Sequence, residues 1–209
     1  MKYIILFLLL AQTTVFAILP QQDGESPEKI KQQESLRWQA TGGQADVKFM
    51  YKKLSDMHIQ VSPKPQFPNK HWDYNHLVYP ISKKSALKIK MPYGIIQEIT
   101  DGVLAVDSDF SLTYGKYSLK VNSFKLVPNK SPTNKSDIVT FDFVDQQNHK
   151  LFTIDSVHIE FDKAKGLLLM SNMDLFATQE LAKLLHHPNL AGQVIGQLHT
   201  YSKLSIPAN

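Results

Sequence analysis

The chain has 209 residues, a formal net charge of +4 and no cysteine. Disulfides and thiolate metal ligands are therefore excluded, and the folded protein must be stabilised by side-chain packing. Arginine, the residue best suited to paired contacts with phosphates and guanine, occurs once, as Arg37, so the composition argues against nucleic acid as a partner.

The first seventeen residues have the pattern of a secretory signal peptide. Lys2 supplies a positive charge, residues 4–11 are apolar, and Ala17 ends a small-residue cleavage site. The apolar run is shorter than the roughly 20 residues that a transmembrane helix needs. We therefore expect cleavage before Ile18, a periplasmic or extracellular mature protein, and no transmembrane segment after cleavage.

Residues 18–35 are polar and rich in Gln, Glu and Lys. They have too few apolar side chains to offset the entropy lost on ordering, so we expect a flexible polar tail. Residues 36–209 are long enough for one ordinary β domain with its own core.

Apolar and polar residues alternate through much of this domain, which is typical of strands with one buried face. Alternation over 47–51 and 57–61 predicts two strands joined as a β-hairpin. Residues 63–80 contain four prolines and little periodicity, so we expect a long structured loop there. The strand pattern returns over 87–106.

The strongest local signal is a second hairpin around Gly115-Lys116, because glycine at the first central position of a two-residue loop favours a type II′ turn. Pairing outward from this turn places apolar pairs on one face and polar pairs on the other, so the register is well specified. The apolar pairs are Tyr114 with Tyr117, Leu112 with Leu119, and Phe110 with Val121; the polar pairs are Thr113 with Ser118, Ser111 with Lys120, and Asp109 with Asn122.

Two shifts in the alternation predict strands that bend around a core. The first lies near Asn122-Ser123, where a bulge explains the change of phase, and the second lies across Asp155-Ser156.

One short helix is predicted near the C-terminus, with Thr178 as its N-cap, Glu180 in its first turn and Pro188 beyond its end. A last strand pattern follows over 194–204. The elements together predict an all-β protein, a single antiparallel β-sandwich or jelly-roll-like domain with this one helix.

Four aromatic residues mark the proline-rich segment as a candidate ligand-binding surface. Their flat faces suit stacking on sugar rings or on a peptide. The alternative interpretation is that the rings pack the loop onto the sheet, in which case Trp72 is buried. The four residues are Phe67, Trp72, Tyr74 and Tyr79.

The same segment contains the one set of residues with the chemistry of a metal site, His71, Asp73 and His76. Two imidazoles and a carboxylate suit iron(II) or zinc. In β-fold iron oxygenases, however, the His-x-Asp pair is expected on or beside a strand with its second histidine far downstream. Here the set is packed into a loop, which favours structural roles for these side chains. Candidates for a distant ligand are His149, His158 and His199.

Other polar residues carry weaker signals. His186-His187 directly follow the predicted helix, where a cationic side chain is favoured by the helix dipole. Asp107 and Asp109 are neighbours on one strand face but lack the loop that calcium sites use. No Gly-x-Ser-x-Gly nucleophile motif occurs.

These observations indicate an exported, non-enzymatic binding or interaction module without a cofactor. Its expected partner is an envelope glycan, a lipid or a protein. Two alternatives remain: a periplasmic lipid-handling protein with a β-groove, and a metal-dependent enzyme that uses His71, Asp73 and a further histidine.

Overall fold

The structure is a computed structural model that describes residues 37–63, 74–91, 95–129, 140–155 and 157–205. The predicted signal peptide (1–17) and the predicted polar tail (18–35) lie outside these ranges.

The described residues form twelve strands and two short α-helices. In chain order the elements are β1 (Arg37–Met50), α1 (Tyr51–Asp56), β2 (Ile59–Ser62), β3 (Tyr74–Ile81), β4 (Leu87–Lys90), β5 (Glu98–Asp101), β6 (Leu104–Tyr114), β7 (Tyr117–Asn129), β8 (Thr140–Asp145), β9 (Lys150–Asp155), β10 (His158–Asp162), β11 (Leu167–Ala177), α2 (Gln179–Leu184) and β12 (Val194–Ser205), with a 3₁₀ turn at Pro188–Leu190.

Eight strands close into an antiparallel barrel in the order β1-β12-β11-β9-β8-β7-β6-β3 and back to β1. The closure depends on β12, which pairs with β1 along one edge and with β11 along the other. The all-β class predicted from the sequence is thus confirmed. The sheet closes on itself instead of dividing into two facing sheets, and this differs from the predicted sandwich or jelly roll.

The barrel interior is filled by the inward side chains of its strands. Aromatic rings form a connected series through the core, with ring centroids 5.3 Å apart for Phe49 and Phe110, 4.0 Å for Phe124 and Phe143, and 5.0 Å for Phe143 and Phe152. All five side chains are at most 1% exposed. Such rings contribute large buried apolar areas and favourable edge and stacking contacts.

The predicted hairpin at Gly115-Lys116 is confirmed in its register. The strands β6 and β7 pair Tyr114 with Tyr117, and the ladder continues outward in the predicted order as far as Phe110 with Val121. Leu112 is fully buried and Leu119 is partly buried against the core. The expected pairing of Asp109 with Asn122 does not form, because the register shifts between Asp107 and Phe110. The bulge therefore occurs at the predicted level of the ladder, with the extra residue on β6.

The predicted hairpin over 47–61 is wrong. Strand β1 pairs with β12, β3 and β4, whereas β2 pairs with β6, and the helix α1 separates β1 from β2. Leu54 is the buried residue of α1. Local alternation specifies which face of each strand is buried, but it does not specify the neighbouring strand.

The predicted loop over 63–80 is also wrong in its second half, where Tyr74–Ile81 form β3. In the described part of the chain, pairing of β3 with β6 is limited to Ile81 with Val106. A strand with so open an edge tolerates a proline such as Pro80. The phase shift at Asp155-Ser156 marks the end of β9 and the start of β10, which both pair with β11.

Candidate functional site

The helix α2 is held at one end of the barrel by polar contacts to β9. Thr178 is its N-cap as predicted, with the Oγ1 atom accepting a hydrogen bond from the Leu181 amide at 3.1 Å. Glu180 turns toward the sheet and accepts from the Lys150 amide at 2.8 Å. Leu181 and Ala182 are the buried residues of the helix. These contacts fix the helix in place and leave its outer face available.

The C-terminal end of α2 is closed by a Schellman motif. The amide of His187 donates to the Ala182 carbonyl at 2.8 Å, and the amide of His186 donates to the Lys183 carbonyl at 3.0 Å. His186 occupies the left-handed position of this motif, with φ of 51°. Glycine is the usual residue there, because a Cβ atom makes this conformation costly. Backbone amides cap the helix here, whereas the sequence had suggested a role for the imidazole charges.

The two imidazole rings instead contact tyrosines at the tip of the β6–β7 hairpin. The ring of His186 stacks on Tyr117 with centroids 3.9 Å apart and planes 17° apart. The ring of His187 lies 4.4 Å from that of Tyr114, and its Nε2 atom is 3.2 Å from the Met57 carbonyl oxygen. The residues after α2 thus join the helix to the hairpin and to α1.

An open groove of about 540 Å³ runs along the outer face of this assembly. Its volume falls in the range of about 300–1,000 Å³ that is typical of small-molecule sites. Apolar surface predominates in its lining, which consists of Gln179, Ala182, Lys183, His186, Pro188 and Ala191. We define these six residues as the α2 groove. It combines an apolar floor with a few polar groups, as ligand sites commonly do.

Of the residues that sequence reasoning selected for ligand binding, Tyr79 lies outside the lining of this groove. Tyr79 projects from β3, where it packs near Phe110 with ring centroids 6.3 Å apart, and its hydroxyl donates to the Asp109 carbonyl at 3.2 Å. Burial, together with the negative charge of Asp109, raises the pKa of Tyr79 to about 12. Tyr74 begins β3. Phe67 and Trp72 lie outside the described residues, as do His71 and Asp73, so the predicted roles of these residues stay predictions.

His76 belongs to a polar cluster on the outer face of three neighbouring strands. Its Nδ1 atom is 3.4 Å from Oδ1 of Asp46, and Nζ of Lys48 is 3.7 Å from the other oxygen. His199 lies opposite Asp46 in the ladder. Asp46 Oδ1 and His199 Nε2 are buried without a hydrogen-bond partner among the described residues. Burial, reinforced by Lys48, lowers the pKa of His199.

This cluster differs from a metal centre. Among the described residues, no group of three or more His, Asp or Glu side chains is arranged to hold a metal ion. His149 is bound to Asp145 in the turn between β8 and β9, where Nδ1 of the histidine lies 3.0 Å from Oδ2 of the carboxylate. His158 is exposed on β10. The distant histidines therefore occupy separate positions instead of converging.

Sequence reasoning singled out the helix and the His186-His187 pair but missed the groove that they form. All six lining residues lie between 179 and 191, but the helix signal does not specify how the chain turns after α2 and brings Pro188 and Ala191 into the same lining as Ala182. One local signal was available: the helix ends at histidine where glycine is usual, and residues retained in strained conformations cluster at functional sites.

Comparison with known proteins identifies no family. No protein-family model matches the sequence, and no curated protein matches it. Among solved structures, the crystal structure of the C-terminal domain of HtaA from Corynebacterium glutamicum matches with a TM-score of 0.46 and 9% sequence identity, over 80% of this chain and 99% of that one. Within the described part of the chain, no helix is long and apolar enough to cross a membrane.

Proposed function

We propose that the protein is an exported, non-enzymatic binding module and that the α2 groove is its ligand site. Export is inferred from the signal-peptide pattern of residues 1–17. The observation that carries the binding role is the groove itself: about 540 Å³ of open, mainly apolar space beside a histidine held in a left-handed conformation.

The construction of the groove supports this role. Both the helix and the hairpin are anchored to the barrel by hydrogen bonds and buried side chains, so the groove is largely formed before a ligand arrives. A preformed site loses less entropy on binding than one that must be ordered. Replacing His186 by glycine would relieve backbone strain, and a histidine at a position where glycine is usual favours a role for its side chain.

The barrel interior is a poorer candidate for the ligand. The inward faces of the strands are filled by buried side chains that pack on one another. An acyl chain entering this space would have to displace a closely packed core, at a cost of several kcal/mol. If the protein handles lipids, the surface groove beside α2 is therefore a better candidate for the lipid site than the sheet.

Binding of the neutral fluorescent probe N-phenyl-1-naphthylamine tests the proposal. We expect saturable binding to the mature protein and at least a fivefold weaker affinity in Ala191→Phe, because the added ring fills the groove. Ala164→Phe is the matched control, since Ala164 is exposed in the β10–β11 turn at the other end of β11. Equal binding by wild type and Ala191→Phe would remove the α2 groove as the ligand site.

A further inference from the structure

We infer that the ligand of the α2 groove is a small amphipathic anion, with an apolar body and a carboxylate or similar acidic head. This inference rests on the proposed function and adds the chemical class of the ligand. Its grounds are the charges around the groove, the apolar residues that line it and the hydrogen bonding of the carbonyl groups at the C-terminal end of α2.

The charges that face the groove are positive. Of its six lining residues, Lys183 carries a positive charge and none is acidic, while Gln179 and His186 offer hydrogen-bonding groups. A second cation, Lys116, lies with its Nζ atom 5.5 Å from the ring of Tyr117, on which His186 stacks. The acidic residue nearest in sequence, Glu180, is turned away to the Lys150 amide. Opposite charge on the ligand is therefore favoured, and a cationic head is disfavoured.

The apolar part of the groove is formed by α2 and by the 3₁₀ turn that follows it. Ala182 and Ala191 present small side chains and Pro188 presents its ring, so they leave room for an apolar body. Lys183 belongs to the last turn of α2, and His186 follows the C-cap residue Leu185, so both polar side chains lie near the C-terminal end of the helix. A ligand with an acidic head and an apolar body matches a lining that combines a lysine with small apolar residues.

Backbone amides cap two of the carbonyl groups at the C-terminal end of α2, and Lys183 offsets the negative end of the helix dipole there. The carbonyls of Ala182 and Lys183 already accept hydrogen bonds from the amides of His187 and His186. The charged end of the Lys183 side chain is therefore not needed to satisfy them, and it is available to an anion.

Three eight-carbon compounds that differ in their head group test the inference. Octanoate, 1-octanol and octylamine are compared by displacement of N-phenyl-1-naphthylamine from the mature protein at pH 7. We expect octanoate to displace the probe at the lowest concentration and octylamine at the highest. Lys183→Gln should weaken the affinity for octanoate at least fivefold and leave the affinity for 1-octanol within twofold of wild type. The substitution removes the charge and keeps most of the side-chain length.

Lys183→Arg should retain octanoate binding, and Lys163→Gln, in the β10–β11 turn, is the matched control for loss of a surface charge. Two results would overturn the anionic assignment while leaving the groove as a binding site. One is displacement of the probe by octylamine at the same concentration as by octanoate. The other is an equal loss of affinity for octanoate and 1-octanol in Lys183→Gln. If the probe binds Ala191→Phe with the wild-type affinity, the proposed function is overturned, and the anionic assignment with it.

Discussion

His186 stacks on Tyr117 with ring centroids 3.9 Å apart, and the same residue holds the left-handed backbone position of the Schellman motif. Left-handed geometry disfavours any side chain with a Cβ atom and is accommodated by glycine. The ring contact and the backbone strain at this position therefore have opposite effects on stability, and two substitutions separate them.

His186→Ala removes the ring and keeps the strain, while His186→Gly removes both. We expect the glycine variant to be more stable than the alanine variant by about 1 kcal/mol in urea unfolding. Both variants should bind the naphthylamine probe more weakly, because both lose a wall of the α2 groove. Equal stabilities of the two variants would show that residue 186 leaves the left-handed region when the ring is removed.

The hairpin β6–β7 permits a second prediction. Leu112 is fully buried and Lys120 is mostly exposed, as the predicted register requires. Leu112→Ala should destabilise the protein by about 2–5 kcal/mol, because a core cavity forms. Lys120→Ala should cost about 0.5 kcal/mol or less, since its contact with Asp109 is solvent-exposed. Thermal or urea unfolding of both variants measures the difference, and equal effects would contradict the burial of this face.

The two hairpin predictions from the sequence show which information is local. The pairing of Leu112 with Leu119 follows from a two-residue turn and an alternation that a one-residue slip would invert. The pairing of Val47 with Leu77 and Leu198 joins residues far apart in sequence, and no turn specifies it. Barrel closure depends on such pairs, so the strand faces were predictable and the strand order was not.

The same distinction explains the candidate site. Thr178 and Pro188 predicted the helix because capping and termination are properties of a few neighbouring residues. The groove also depends on how the chain turns after α2, and the ring contact between residues 117 and 186 joins elements that lie far apart in the sequence. Aromatic density drew attention to the segment around Tyr79, although the Tyr79 ring packs near Phe110.

Asp145 is a buried carboxylate whose oxygens accept hydrogen bonds from its own turn. Oδ1 accepts from the amides of Gln147 and His149, each at 2.8 Å, and Oδ2 lies 3.0 Å from the His149 ring. Asp145→Ala leaves these donors without their acceptor and should cost about 2–4 kcal/mol in unfolding free energy. Asp109→Ala is the control, because its side chain is 77% exposed and should change stability by less than about 0.5 kcal/mol. A similar loss in both variants would exclude a structural role specific to the buried carboxylate.

Tyr79 should make the protein sensitive to alkaline pH. Burial holds its folded-state pKa at about 12, above the ordinary tyrosine pKa of 10.0. Between these pH values the unfolded chain loses the phenolic proton more readily than the folded protein, so stability falls as pH rises. Tyr79→Phe should show a smaller loss of unfolding free energy between pH 9 and 11 than wild type does, by comparison of urea midpoints. An equal loss in both proteins would place the alkaline sensitivity at other groups.

His199 should have the corresponding effect at acidic pH. Its pKa is lowered mainly by burial, with Lys48 and His76 acting in the same direction and Asp46 opposing them. Because the unfolded chain binds the proton at higher pH than the folded protein does, stability is lost as pH falls below about 6.5. His199→Gln removes the titrating group, so the variant should lose less unfolding free energy than wild type between pH 7.5 and 5.5. His158→Gln, on the exposed strand β10, is the matched control and should follow wild type over the same interval. If His199→Gln follows wild type as closely as this control does, protonation of His199 is not coupled to unfolding.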